Sequence, residues 1–269
     1  LGGRPVFADI DPHTFNLDPV KVEEKVTPRT KAIYPVHYAG QPVDMDSIMD
    51  IAKRHSLSVV EDAAHAAGAE YKGRRIGTIG HLTCFSFQTQ KNMTTLGEGG
   101  MITTNHADLA EKTRRLRNFG VERFKGQKRY WEPWHYDIVD VATNFRMTEV
   151  QAAFGEVQLG KLDWMNELRR EKARYLTQIL RNIKSVTPPY EDPDCKHVYH
   201  LYSILLDEEK AGISKGDFIQ SLYQDYLIEP VVHYLPVYLF TLFKERGYRP
   251  GLCPVAENLF KKMLSLPLH

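Results

Sequence analysis

The stretch "KAIYPVHYAGQPVDMDSIMDIAKRHSLSVVED", residues 31–62, decides the fold. It opens and closes on short runs rich in β-branched and aromatic residues, "KAIYPVHY" (31–38) and "SLSVVED" (56–62), which read as strands. Between them Met45, Ile48, Ile51 and Ala52 recur at helical spacing, and Asp44 stands where an N-cap belongs. Strand, helix and strand within this length make a βαβ unit. The predicted class is therefore α/β with a mostly parallel sheet.

Outward from this unit, "PVFADI" (5–10), "LTCFSF" (82–87) and "GGMITT" (99–104) read as further strands. "ADLAEKTRRLRNFG" (107–120) reads as a helix closed by Gly120 at the C′ position. Its Arg114, Arg115 and Arg117 read as a solvated face. An aromatic, polar stretch containing Tyr130, Trp131, Trp134 and Tyr136 follows, read as packing or a substrate-side wall. A helical pattern then runs from Met147 to Arg181, with Gly155 and Gly160 marking close packing or a bend.

After residue 182 the character changes to "SVTPPYEDPD", strand-like "HVYHLYSILL" and a helix near "KGDFIQSLYQD". The expected organisation is a partial large domain over 1–160 and a small C-terminal α+β domain over 161–269, joined by the helix 147–181. The chain starts on Leu1 in a loop and stops at "LSLPLH", which reads as an internal piece of a longer protein.

Composition removes several function classes. The 269 residues are 26% charged and 42% hydrophobic, as in a soluble globular protein. Lys and Arg number 35 against 34 Asp and Glu, so the net charge of +1 gives no general attraction to nucleic acid or to an anionic membrane. No apolar run reaches the ~18 residues of a membrane span, and no signal peptide opens the chain. Cys84, Cys195 and Cys253 form no C-x-x-C pair, which excludes a disulfide framework and structural zinc and suits a cytoplasmic setting. His37, His65, His135, His200 and His233 fall in no ligand spacing and read as hydrogen-bonded residues; no metal is expected.

Two residues carry a chemical reading. In open α/β sheets ligands bind beyond the carboxyl ends of the strands, where Asp62 ends one strand and Lys91 follows "CFSF". If those strands are neighbours, both residues open onto one crevice. An amine and a carboxylate across a small ring suit pyridoxal 5′-phosphate (PLP). The amine joins the cofactor aldehyde as a Schiff base, and the carboxylate keeps the ring nitrogen protonated. Ser86 and backbone amides near the glycines 97–100 are candidate phosphate ligands. On spacing alone a cap or turn role for Asp62 and a solvated charge for Lys91 are the commoner outcomes, and both readings stand at this point.

In order along the chain, "PVFADIDPHTFNLDP", "TKAIYPVHYAGQPVDMDSI", "VVEDAAHAAGAEYKGRRIGTIG", "CFSFQTQKNMTTLGEGGMITT", "NFRMTEVQAAFGEVQLGKLD", "VHYLPVY" and "CPVAENLFKKMLSLPLH" closely resemble the DegT/DnrJ/StrS family of PLP-dependent sugar aminotransferases. The resemblance implies the aspartate-aminotransferase-like fold, fold type I. It matches Lys91 to the Schiff-base lysine, Asp62 to the partner of the pyridine nitrogen and Ser86 to the phosphate ligand. His65 stands where relatives often have Gln near the ring hydroxyl, and Gln88 lies close to cofactor and substrate. Asn144 matches an Asn that reaches the phosphate of a neighbouring subunit, implying a homodimer with a shared site. The Gly-aromatic pair usual before that Asn is Ala142-Thr143 here. His233 and Tyr234 are candidate substrate contacts.

The implied activity moves an amino group from L-glutamate or glutamine to a keto-sugar nucleotide or keto-cyclitol, in polysaccharide or antibiotic biosynthesis. The rivals are a PLP-dependent sugar dehydratase, disfavoured because relatives of that kind replace the lysine with His, and a silent PLP-fold binding protein. Relatives also carry a segment before "PVF" with a phosphate loop and a ring-stacking aromatic.

Overall fold

The computed structural model describes residues 2–123 and 136–268. Tyr130, Trp131, Trp134 and His135 lie outside the described residues. The elements run α1 (Pro19–Lys25), β1 (Ala32–Ile33), α2 (Met45–Arg54), β2 (Ser58–Asp62), β3 (Glu70–Tyr71), β4 (Arg74–Arg75), β5 (Leu82–Ser86), β6 (Gly100–Thr103), α3 (Ala107–Leu116), β7 (Val121–Arg123) and β8 (Tyr136–Ile138). The long α4 (Glu149–Leu180) follows, then β9 (Val186–Thr187), β10 (Cys195–Lys196), β11 (Tyr202–Leu206), α5 (Glu208–Ala211), α6 (Lys215–Tyr226), α7 (Thr241–Glu245), α8 (Pro254–Lys262) and β12 (Met263–Leu266).

The βαβ unit forms as its pattern predicts. Asp44 caps α2 by accepting from the Ser47 amide at 3.2 Å, and Met45, Ile48, Ile51 and Ala52 are all buried. The cap contributes about 1 kcal/mol and each large buried aliphatic about 1.5–3 kcal/mol. These residues close a core with Val43, Val59 and Ala63 against one face of a four-stranded sheet ordered β1-β2-β5-β6. β1, β2 and β5 are parallel, with Asp62 level with Cys84, whereas β6 runs antiparallel to β5. The α/β class holds, and the sheet is mixed.

A second sheet, β12-β11-β9, is antiparallel and packs Tyr202, Ile204, Leu206 and Leu264 against Ala173 of α4 and Phe218 and Ile219 of α6. Helix α4 starts with a capping box between Thr148 and Gln151. It gives Leu162 to a small cluster with Ala67, Phe87 and Met93, and Ala173 to the second core, so one rigid rod serves both.

Several expected elements differ. "PVFADI" forms no strand, only an isolated bridge from Ile10 to Leu17. Its bonds go elsewhere: the Tyr248 hydroxyl donates to the Pro5 carbonyl, and Asp9 accepts from the amides of Val255 and Ala256 at 2.9 and 3.1 Å. Asp9 thereby caps α8, whose own Cys253 supplies no side-chain cap. The first strand shrinks to two residues because Pro35 has no amide to donate. Helix α3 ends at Leu116 with Arg117 as its cap, so Gly120 lies beyond the C′ position. Of the two helical glycines, a Cβ on Gly155 would sit 2.8 Å from Thr95 Cγ2, while Gly160 has nothing within 4 Å. Close packing explains the first only.

Candidate active site

Asp62 ends β2 in a tight backbone frame. Its amide donates to the Pro35 carbonyl at 2.8 Å, and its carbonyl accepts from the His37 amide at 3.0 Å. Beneath it lies a buried pair. Val43 donates its amide to His37 Nδ1 at 3.0 Å, so the His37 proton sits on Nε2 and is donated to Glu61 Oε2 at 2.8 Å. Glu61 Oε1 accepts from the Gly80 amide and the Thr83 hydroxyl at 2.7 and 2.6 Å. Burial pushes the Glu61 pKa up, but these bonds outweigh it and hold the group below its ordinary range.

Because β2 and β5 are parallel neighbours, Asp62 and Ser86 come to the same end of the sheet. Past Ser86 the chain stays bonded to its partner strand, with Phe87 donating to the Gly99 carbonyl at 2.7 Å. It then turns. The Lys91 amide donates to the Gln88 carbonyl at 2.9 Å, and the Gln88 amide reaches Ser86 Oγ at 3.4 Å. The return path is so close that a Cβ on Gly99 would meet Thr95 Oγ1 at 2.1 Å. The Gln88 side chain is spent within this turn, on Thr89 and the Gln90 amide.

The Lys91 amine, half-buried, makes no hydrogen bond or ion pair with any described residue. Burial lowers its pKa, opposed in part by the Asp62 charge. Around it stand three imidazoles that burial also holds neutral: His65 pushed down to about 3, His200 to about 2, and His233 lowered. The Lys91 charge adds to each of those shifts. His65 and His200 pack with ring centroids 4.3 Å apart, and Tyr234 stacks near His65 at 6.4 Å. His233 is tied to the second sheet, with Nδ1 at 2.9 Å from Ser265 Oγ and its carbonyl accepting from the Tyr38 hydroxyl at 2.7 Å.

The structure thus places Asp62, Ser86, Gln88 and Lys91 at one end of the sheet, with His65, His233 and Tyr234 beside them. Asn144 is apart from it: exposed, with Oδ1 turned to the Arg146 amide and guanidinium. Sequence reasoning did not find Tyr38, Asn92, Asn166 and His200 as parts of the site. His200 is more than a hundred residues from Lys91 in sequence, and no local pattern signals such a contact.

The pattern of the DegT/DnrJ/EryC1/StrS aminotransferase family matches residues 1–269. The spore coat polysaccharide biosynthesis protein SpsC of Bacillus subtilis is 43% identical over 271 residues, covering 100% of this chain and 69% of SpsC. The chain belongs to this aminotransferase family. GDP-perosamine synthase of Caulobacter vibrioides is 46% identical over 208 residues, covering 77% of this chain and 53% of that enzyme. The solved structure of Helicobacter pylori PseC, an aminotransferase involved in pseudoaminic acid biosynthesis, superposes with a TM-score of 0.90 at 32% identity, covering 100% of this chain and 69% of PseC.

The family is PLP-dependent, and solved members of the fold are described in both PLP and pyridoxamine phosphate forms. The donor set present here fits that group. It offers an unpaired, partly desolvated amine, a carboxylate on the adjacent strand end and a hydroxyl at the end of β5. Thr94 Oγ1, three residues past Lys91, is also buried with no partner among the described residues, leaving a polar atom for a bound molecule or water.

Proposed function

We propose that the protein transfers an amino group from an amino acid, L-glutamate or glutamine, to the ketone of a sugar nucleotide or cyclitol. The observation that carries this reading is the amine of Lys91, unpaired and depressed by burial, opening onto the same strand ends as Asp62. The names of the relatives, which concern polysaccharide and amino-sugar biosynthesis, support the sugar acceptor.

PLP, when bound, supplies an aldehyde for covalent attachment of an amine and a ring that draws electrons from the reacting carbon. The chain's own residues do the rest. Burial favours the neutral form of Lys91 Nζ, the form that would hold the cofactor aldehyde and would carry a proton to and from the reacting carbons. Asp62, its backbone locked at both its amide and its carbonyl, is the carboxylate that would pair with the ring nitrogen. Ser86 Oγ and the amides of its turn would hold the phosphate. His65 accepts the Ala39 amide on Nδ1 at 3.3 Å, which leaves an Nε2 proton to donate toward the ring oxygen. His233 and Tyr234 form the substrate side.

The exposed Asn144 suits contact with a second copy, and we read the enzyme as a homodimer with shared sites, cytoplasmic, with the domain division at 160 and 161 stated above. Among the described residues no helix is long and apolar enough to cross a membrane.

Two variants test the reading. Borohydride reduction followed by mass spectrometry is expected to fix PLP on the peptide containing Lys91, and Lys91→Ala is expected to abolish that adduct. An unchanged adduct on the variant sinks the assignment. Asp62→Asn is expected to retain PLP but lose roughly 10²–10³-fold in turnover with glutamate and a keto-sugar nucleotide, the scale of one removed electrostatic partner. Unchanged turnover removes Asp62 from its role.

A further inference from the structure

Directly after Lys91 stands Asn92, whose side chain is buried and fully bonded. Its Nδ2 donates to Asn166 Oδ1 at 3.0 Å and to the Val198 carbonyl at 3.1 Å, and its Oδ1 lies 3.0 Å from His200 Nδ1. The direction of each bond follows from two backbone carbonyls, which can only accept. The Ala67 carbonyl takes Asn166 Nδ2 at 2.9 Å, so Asn166 turns its oxygen to Asn92. The Val198 carbonyl likewise demands the nitrogen of Asn92. Asn92 Oδ1 must therefore face His200, and His200 Nδ1 must carry a proton.

The arrangement leaves little freedom. Asn166 is 1% exposed, and a Cβ on Gly68 would sit 2.5 Å from its Nδ2, so the chain at residue 68 approaches as closely as glycine permits. With Nδ1 protonated and the ring held neutral, His200 Nε2 is a bare lone pair, and no described residue donates to it. Its neighbour His65 has the opposite tautomer, because the Ala39 amide occupies Nδ1. Two packed imidazoles beside Lys91 therefore present one acceptor and one donor.

We propose that Asn92 is a positioning residue of the Lys91 site: it fixes the lysine turn to α4 and to the 198–200 segment, and locks His200 as an Nδ1–H tautomer whose Nε2 is an acceptor beside the amine. A neutral acceptor there suits a lysine that alternates between attached and free states. It offers a lone pair near the amine without adding a second charge. The groups that bear on His200 are His65 after β2, Lys91 on its turn, Arg169 on α4 and His233 before β12. Among the described residues the hydrogen bond to Asn92 Oδ1 is the contact that dictates which nitrogen of His200 is protonated.

The inference rests on Lys91 being the cofactor lysine, which borohydride trapping tests separately. The experiment here uses the PLP-loaded enzyme labelled with ¹⁵N-histidine, His200 being assigned by loss of its signals in His200→Phe. The wild type is expected to show a protonated Nδ1 and a bare Nε2 at neutral pH. Asn92→Ala is expected to mix the tautomers and to release PLP roughly tenfold faster or more, the scale of one lost buried hydrogen bond. His200→Phe, which keeps a ring against His65, is expected to speed release similarly, with little further effect when combined with Asn92→Ala. A wild-type His200 protonated on Nε2 overturns the proposal. So does PLP release at the wild-type rate in Asn92→Ala or, should that variant not fold, in His200→Phe. If Lys91→Ala still carries the adduct, the underlying assignment has failed instead.

Discussion

Two pairs of buried side chains built around histidine, joined in sequence only where Glu61 precedes His65 by four residues, are built on opposite principles. His37 meets a carboxylate, Glu61, and both are fully buried. His65 meets another imidazole, His200, with no carboxylate among the described residues bonded to either ring. The first pair keeps a charge inside the fold by surrounding it with three donors. The second keeps charge out, leaving Lys91 as the ionisable group around which the neutral rings are arranged. The first sits under the strand ends and holds Asp62 in place; the second lines the crevice. Position relative to Lys91 separates a stabilising pair from a chemical one.

The largest expected effect comes from breaking the first pair. His37→Leu leaves Glu61 as a buried carboxylate short of one donor and strands the Val43 amide, so unfolding in urea is expected to show a loss of about 3–5 kcal/mol. A loss below about 1 kcal/mol would mean that Glu61 is not held as an ion. The milder change, Glu61→Gln, separates charge from shape. The glutamine oxygen can still accept from Gly80 and Thr83, but its amide nitrogen then faces the His37 Nε2 proton. His37 cannot answer by moving that proton to Nδ1, where Val43 donates. One donor is left unsatisfied, and the expected cost is about 1–3 kcal/mol at neutral pH. The depressed Glu61 pKa adds stability above its ordinary value of 4.5 that is lost as pH falls through the folded value, and Glu61→Gln removes that acid-side loss.

The first pair and the second were not equally legible in the sequence. Asp44 and the Met45, Ile48, Ile51, Ala52 stripe are local signals, and α2 forms from them as read. The ends of β2 and β5 were legible too, because strand composition and the strand-end rule bring Asp62 and Lys91 together. What escaped was everything fixed by distant partners. Asp9 leaves its expected strand to cap α8, nearly 250 residues away, and β6 runs antiparallel because the loop 87–99 that carries Lys91 returns the chain beside β5. His200 gives no local sign of its bond to Asn92. A histidine's chemistry depends on which atom faces each ring nitrogen, and that is a property of the assembled fold.

The smallest effect per group tests the second pair through pH. His65, His200 and the stacked, fully buried His197 have folded pKa values of about 3, about 2 and about 3, well below the 6.5 of an exposed histidine. As pH falls below 6.5 the unfolded chain takes up protons that these rings refuse. Folding stability must therefore decline from 6.5 downward, by at most about 1.4 kcal/mol per pH unit per histidine. Glu61 contributes nothing to this upper window, because its loss begins only below 4.5. His65→Gln keeps an acceptor for the Ala39 amide and is expected to cost under about 1 kcal/mol at neutral pH, yet to make the slope between 6.5 and 4.5 shallower by one proton's worth. Urea midpoints measured across that range for wild type, His65→Gln and Glu61→Gln separate the two pairs. A slope that Glu61→Gln flattens and His65→Gln leaves intact would reverse their assignment, because the proton-linked burial would then belong to the carboxylate pair.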